Sequence, residues 1–119
     1  MHELSVCQAM MAQVEAIAVR ENAERITAIT VRIGPLSGVE ADLLADAFPI
    51  AAAGTAAEGS ELRFERLPVR VRCSACGAET EASVNRLLCG ACGDYRTRLV
   101  SGDEMLLASV ELERRARAG

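Results

Sequence analysis

The chain has no lysine, no tryptophan and one histidine, and only Phe48, Phe64 and Tyr95 are aromatic among its 119 residues. Half of the residues are hydrophobic, so any core must be built mainly from Ala, Val, Leu and Ile, which offer less area per residue to bury. Extra staples are expected. Seventeen acids face thirteen bases, all of them arginine, for a net charge of −4; that balance argues against a general binder of nucleic acid or of anionic membranes. No stretch approaches the roughly 18 to 20 apolar residues that span a bilayer, and the N-terminus lacks the basic and apolar regions of a signal peptide. The protein is therefore expected in the cytoplasm, where clustered cysteines read as metal ligands or redox groups rather than as disulfides. There are no repeats at solenoid periods, and the length suits one domain, or a small domain carrying a smaller lobe.

The single histidine stands second, in Met1-His2-Glu3. The Met1 amine and the His2 amide nitrogen would close a five-membered chelate ring, and that amide with the imidazole a six-membered one. Late first-row ions such as Ni(II) and Cu(II) favour such tetragonal nitrogen fields. The bulky second residue also predicts that Met1 is retained. Taken alone, the pattern better fits a frayed, solvated terminal side chain, the usual state of a terminal histidine.

Leu4, Cys7, Met11, Val14 and Ala18 recur at helical spacing, predicting a first helix from Leu4 to about Glu21, with Ser5 and Gln8 as a capping box and a start nearer residue 2 as the arrangement that would better hold the terminus. Arg25 to Ile33 alternates as a strand, with Ile29, Val31 and Ile33 on one face. A turn at Gly34-Pro35-Leu36-Ser37-Gly38 leads to a second helix from about Glu40 to Ala53, ended by Gly54. Leu43, Leu44, Ala47, Phe48 and Ala51 form its expected buried side, and Pro49 predicts a kink or break near Phe48. Glu61 to Leu67 and Met105 to Leu112 read as strands, the latter with Leu106, Ala108, Val110 and Leu112 on a common face. Arg114 to Gly119 reads as disordered. The expected fold is α/β (α+β): two helices packed on a three-stranded sheet, formed by residues 1–68 plus 101–119, with a four-cysteine zinc-ribbon-like domain inserted at 69–100.

Cys73-Ser74-Ala75-Cys76 and Cys89-Gly90-Ala91-Cys92 are two Cys-x-x-Cys pairs twelve residues apart, each followed by glycine, Gly77 and Gly93. Two such turns brought together by a hairpin make the closed tetrahedral sulfur site that Zn(II) prefers. Four protein ligands leave no open position, so the metal is expected to be structural and to stand in for a core. A thioredoxin-like dithiol is disfavoured by the second pair; a rubredoxin-type iron site is the other occupant such ligands accept. Cys7, on the apolar face of the first helix, reads as a small buried hydrophobe. A zinc ribbon can also serve a protein-interaction or nucleic-acid-binding factor. Here Arg70, Arg72, Arg86, Arg96 and Arg98 face Glu79, Glu81 and Asp94, and four thiolates on one Zn(II) cancel the remaining +2. Only Tyr95 is available to stack on a base, so docking of proteins or pure architecture is the better use. A metalloenzyme built on His2 and Glu3 would need an acid or base and a pocket, and a single histidine makes that constellation thin.

Met1-His2-Glu3-Leu4-Ser5, Ile33-Gly34-Pro35-Leu36-Ser37-Gly38-Val39-Glu40, Gly54-Thr55-Ala56-Ala57-Glu58-Gly59, the two Cys-x-x-Cys pairs and Ser101-Gly102-Asp103-Glu104-Met105 together resemble the HypA/HybF family of nickel metallochaperones for hydrogenase maturation. The resemblance covers nearly the whole chain. It implies an accessory protein, not an enzyme, that delivers Ni(II) to the large subunit of nickel-iron hydrogenase with the partner GTPase HypB, and that in some members also serves urease and its accessory proteins. It implies His2 as nickel ligand, with the Met1 amine and the backbone amides of His2 and Glu3 as companions, and Cys73, Cys76, Cys89 and Cys92 as structural zinc ligands. Glu40 falls where an acid could approach the nickel, or where it could simply meet the dipole of the second helix. Two residues depart from the family's pattern: Pro49, where a helix former is usual, and Gly90, where many relatives carry proline, which is expected to loosen the second knuckle slightly.

Overall fold

The computed structural model describes residues 2–116. The elements run α1 (His2–Arg20), β1 (Ala23–Ile33), α2 (Ala41–Ala52), β2 (Glu61–Arg66), β3 (Arg70–Cys73), β4 (Glu79–Glu81), β5 (Thr97–Ser101) and β6 (Met105–Arg114). One three-stranded sheet has the order β2-β1-β6 and a smaller one the order β4-β3-β5. With two helices, these sheets and a four-cysteine cluster, the architecture is of the expected α/β (α+β) class. The chain divides into two compact units, one of Met1–Val31, Val39–Phe64 and Leu107–Gly119, the other of Arg32–Gly38 and Glu65–Leu106.

In the first unit α1 packs on α2. Its core is aliphatic, as so few aromatic residues require: Cys7, Met10, Met11, Val14 and Ala18 from α1, Ile26, Ala28, Ile29 and Val31 from β1, and Leu44, Phe48 and Ala52 from α2 are all buried. Burial pushes the Cys7 thiol up, since a low-dielectric surrounding disfavours the thiolate. Helix α1 starts two residues earlier than its apolar spacing suggests, which leaves Ser5 inside the helix and the proposed capping box with no terminus to cap. It ends at Arg20, and the turn after it passes through Asn22, whose φ of 52° is one that asparagine tolerates better than most residues.

Pro49 does not break α2, which runs on to Ala52. Leu44, Phe48 and Ala52 are buried at a spacing of four on either side of it, so packing holds one helical face. Ala45, whose carbonyl loses its amide donor, is on the exposed side where water can replace the bond. Leu43, expected inside, is 46% exposed, and Ala47 and Ala51 are only half-buried. The faces of two strands also differ from simple alternation. In β1 the buried set passes from Ile26 and Ala28 to Ile29, Val31 and Ile33, and in β6 the half-buried set passes from Met105 and Leu107 to Val110 and Leu112. A one-residue change of phase exchanges the faces of a strand, so Leu106 and Ala108 are exposed rather than sharing an inner face with Val110 and Leu112. At the end expected to be disordered, Arg114 bonds Glu21 at 2.7 Å and the Arg115 amide donates to the Asn22 carbonyl at 2.9 Å; residues 117–119 lie outside the described residues.

The second unit is closed by two glycines in backbone contact. The Gly34 amide donates to the Glu104 carbonyl at 2.8 Å, and the Leu36 amide to the Gly102 carbonyl at 2.7 Å. Gly102 in turn donates its amide to Glu104 Oε1 at 2.6 Å. Backbone N–H groups of Gly102, Glu104 and Asp103 surround that carboxylate and hold its pKa below the usual glutamate value. A depressed folded-state pKa gives stability that is present above the unfolded glutamate value, about 4.3, and lost as pH falls through the folded value. The difference in urea midpoint between the parent and Glu104→Gln is therefore expected to shrink as pH is lowered from 6 to 3; a constant difference would remove the carboxylate from the account.

Candidate metal centre

Strand β3 ends at Cys73, and the chain turns at once into the first knuckle. The Cys73 Sγ accepts the amides of Ala75 and Cys76 at 3.3 and 3.4 Å. The second knuckle repeats this: Cys89 Sγ accepts from Ala91 and Cys92 at 3.3 and 3.4 Å. Gly77 and Gly93 close the turns by donating to the Cys73 and Cys89 carbonyls at 3.0 and 2.9 Å. Their φ angles, 77° and 78°, lie in the left-handed region that a side chain disfavours. That reversal brings the next amides, of Ala78 and Asp94, onto Cys76 and Cys92.

The four sulfurs lie within 4.8 Å of one another, with Cys73 to Cys92 and Cys76 to Cys89 each 3.6 Å. A disulfide would need about 2.05 Å. Sulfurs placed about 2.3 Å from a tetrahedral zinc would be about 3.8 Å apart, so the cage fits a metal and not a redox bond. Within the cage the proton affinities are spread apart. Cys89 is pulled down to about 6, led by the amides of Cys92 and Ala91. Cys92 is pushed up to about 12: the Asp94 amide favours its thiolate, but the neighbouring sulfur of Cys73, burial and the other two cysteines outweigh it. Without a cation one thiolate forms and makes its neighbours costlier to ionise; a bound divalent ion reverses that order.

The second knuckle is further braced by Asp94, which takes both guanidinium and backbone N–H bonds from Arg96 at 2.7 to 3.0 Å. Arg96 holds the Asp94 carboxyl down to about 2. Gly90 does the opposite of loosening the turn. Its amide donates to Thr80 Oγ1 at 2.8 Å, a bond that proline has no N–H to make. Nothing in the sequence marks Thr80, because its partner is the backbone of an aperiodic loop.

Of the proposed nickel ligands, Met1 lies outside the described residues. His2 is the first residue of α1 and exposed, and Glu3 is half-buried in its first turn. Glu40 is the N-cap residue of α2, with no hydrogen bond from its side chain to the helix end. Among the described residues, the four cysteines are the only group of three or more His, Cys, Asp or Glu side chains with ligand atoms this close; His2, Glu3 and Glu40 do not join such a group.

Residues 1–112 match the model of the family described as HypA, hydrogenase/urease nickel incorporation, metallochaperone. The chain is 52% identical over 112 residues to the hydrogenase maturation factor HypA of Nitrosospira multiformis, covering 94% of this chain and 97% of that protein. To the Aquifex aeolicus protein of the same name it is 42% identical over 113 residues, covering 95% and 98%. The solution structure of the Ni metallochaperone HypA from Helicobacter pylori superposes with a TM-score of 0.71 over 95% of this chain and 98% of that one; at 23% identity this likeness concerns the fold. A solution structure of a HypA protein superposes with a TM-score of 0.74 at 25% identity, over 97% and 98%.

Proposed function

The chain belongs to the HypA family of hydrogenase maturation factors, metallochaperones rather than enzymes, and on that premise we propose that it binds Ni(II) at its N-terminus and delivers it to the large subunit of nickel-iron hydrogenase. HypB is the proposed GTPase partner, with urease and its accessory proteins as a second destination. The cytoplasm is the proposed site of action; among the described residues no helix is long and apolar enough to cross a membrane. The proposed organisation is a nickel-binding domain of residues 1–68 plus 101–119 carrying an inserted zinc-binding domain, 69–100.

The observation that carries the nickel reading is the start of α1 at His2. The first four amides of a helix have no intrahelical carbonyl to bond. The amide nitrogens of His2 and Glu3 are therefore available to lose a proton and coordinate without unwinding the helix, while the helix itself limits fraying of the terminus. With the Met1 amine and the His2 imidazole they make a nitrogen-rich tetragonal set of the kind Ni(II) favours. Glu40 is retained as a weaker candidate, since its carboxylate is not engaged in capping α2. Because the amine and imidazole bind only when deprotonated, acidification favours release.

For Cys73, Cys76, Cys89 and Cys92 the proposed occupant is a structural Zn(II), supported by sulfur spacing close to the tetrahedral edge. A nucleic-acid role finds no support here: Arg70 and Arg72 pair with Glu79, and Arg96 with Asp94. The test is calorimetric titration of nickel into the untagged protein and into His2→Ala, with zinc counted in both. One nickel site per chain is expected in the parent, weakened by at least about 100-fold in the variant, with zinc retained. Equal nickel affinity would overturn the reading. A residue left before Met1 would turn the amine into an amide, so the N-terminus must be native.

A further inference from the structure

The segment from Ala82 to Arg96 supplies half of the cysteine ligands but no strand of the small sheet, only an isolated bridge between Ser83 and Arg86. Apart from the sulfurs, among the described residues Leu87 to Gly93 is tied to the neighbouring strands by two hydrogen bonds, and each uses a threonine hydroxyl. Thr80 Oγ1 accepts the Gly90 amide at 2.8 Å, and Thr97 Oγ1 donates to the Leu87 carbonyl at 2.7 Å. The two threonines stand on opposite sides of β3. Thr80, on β4, pairs with Val71, and Thr97, on β5, pairs with Cys73 itself. The strand that presents the first knuckle is thus flanked by the two hydroxyls that hold the second. The fit at Gly90 is close, since a Cβ there would stand 3.1 Å from Thr80 Cβ.

We propose that Thr80 and Thr97 are positioning residues that clamp the second knuckle against the strands beside Cys73, so that Cys89 and Cys92 are held opposite Cys73 and Cys76 in the loaded site. The inference rests on the four cysteines being one zinc site. Opening the site requires Leu87 to Gly93 to swing away, and that motion breaks both hydroxyl bonds. The clamp therefore slows metal loss without touching the metal. Valine matches the shape of threonine and its preference for strands while removing the hydroxyl, and serine keeps the hydroxyl while removing the methyl.

Zinc transfer from the full-length protein to excess chromogenic chelator separates the possibilities. A net hydrogen bond of about 1 kcal/mol corresponds to about fivefold in rate, so Thr80→Val and Thr97→Val are each expected to accelerate transfer about fivefold and the double variant about 25-fold. Thr80→Ser and Thr97→Ser should remain within about twofold of the parent. The thiolate-to-cobalt absorption of the Co(II)-loaded proteins should be the same throughout, because the sulfur set is intact. One zinc per chain with equal rates in parent and double valine variant overturns the clamp alone. Equal acceleration in the serine variants assigns the effect to packing and also overturns it. A parent that holds no metal at these cysteines overturns the zinc reading and the clamp together.

Discussion

Stripping the metal with a strong chelator is expected to abolish the ordered structure of Glu65–Leu106 while α1 and α2 remain folded. The buried apolar side chains of that unit are few: Ile33, Val69 and Val71, with Cys73 and Cys89. Strands of four, three and five residues supply little else. Burying three aliphatic side chains yields about 1.5 to 3 kcal/mol each, whereas ordering a residue's backbone costs about 1 to 2 kcal/mol, and some forty residues are to be ordered. Zinc in finger peptides contributes about 10 to 16 kcal/mol, enough to change the sign. The first unit has its own core of some dozen buried residues and needs no such ion. Amide spectra recorded before and after chelation check this: signals of β3, β4 and β5 should collapse and return when Zn(II) is restored. Persistence of those signals in the metal-free protein would show that the small sheet stands on its own.

Gly34→Ala is expected to be the most damaging single change that touches no ligand. A Cβ built on Gly34 falls 2.1 Å from the Gly102 carbonyl oxygen and 2.3 Å from its carbon. Both are backbone atoms, so no flexible side chain can swing away. Gly34 is not needed for an unusual φ; it is needed because there is no space. Relief would require separating the two segments, which breaks the bonds from Gly34 to Glu104 and from Leu36 to Gly102. Gly102 cannot retreat, since the Cα and Cγ2 of Val69 lie 3.0 Å from its own Cβ position. The loss should be at least about 3 kcal/mol, the upper end of ordinary overpacking, a large part of the 5 to 15 kcal/mol that domains possess. Urea unfolding followed by circular dichroism measures it. A stability within about 1 kcal/mol of the parent would mean that these backbones do not meet.

Element types were legible wherever apolar residues recur at a clear period, as in α1 and the β1 segment from Ile29 to Ile33. The four cysteines were legible because their spacing follows from the geometry of a metal turn. Less visible was anything set by contact between distant segments. The passage of Gly34 over Gly102 joins segments far apart in the chain, and the three amides around Glu104 and the two threonine hydroxyls, though closer in sequence, act on aperiodic backbone. Strand faces failed for the same reason: the change of phase at Ala28 and Ile29 leaves no trace in composition. Pro49 misled because local propensity was weighed without the buried row of Leu44, Phe48 and Ala52 that overrides it.

The two knuckles are near copies, and each buries its first cysteine and exposes its second: Cys73 and Cys89 lie inside, Cys76 and Cys92 outside. The cage consequently has a sheltered side and a weathered one. An oxidant or alkylating agent arriving from solvent meets Cys76 or Cys92 first, and losing either leaves three ligands, two of them still shielded. Oxidation of this protein should therefore begin as a partly opened site that retains its inner sulfurs, and while the lesion is a sulfenic acid or a disulfide a reductant can still restore it.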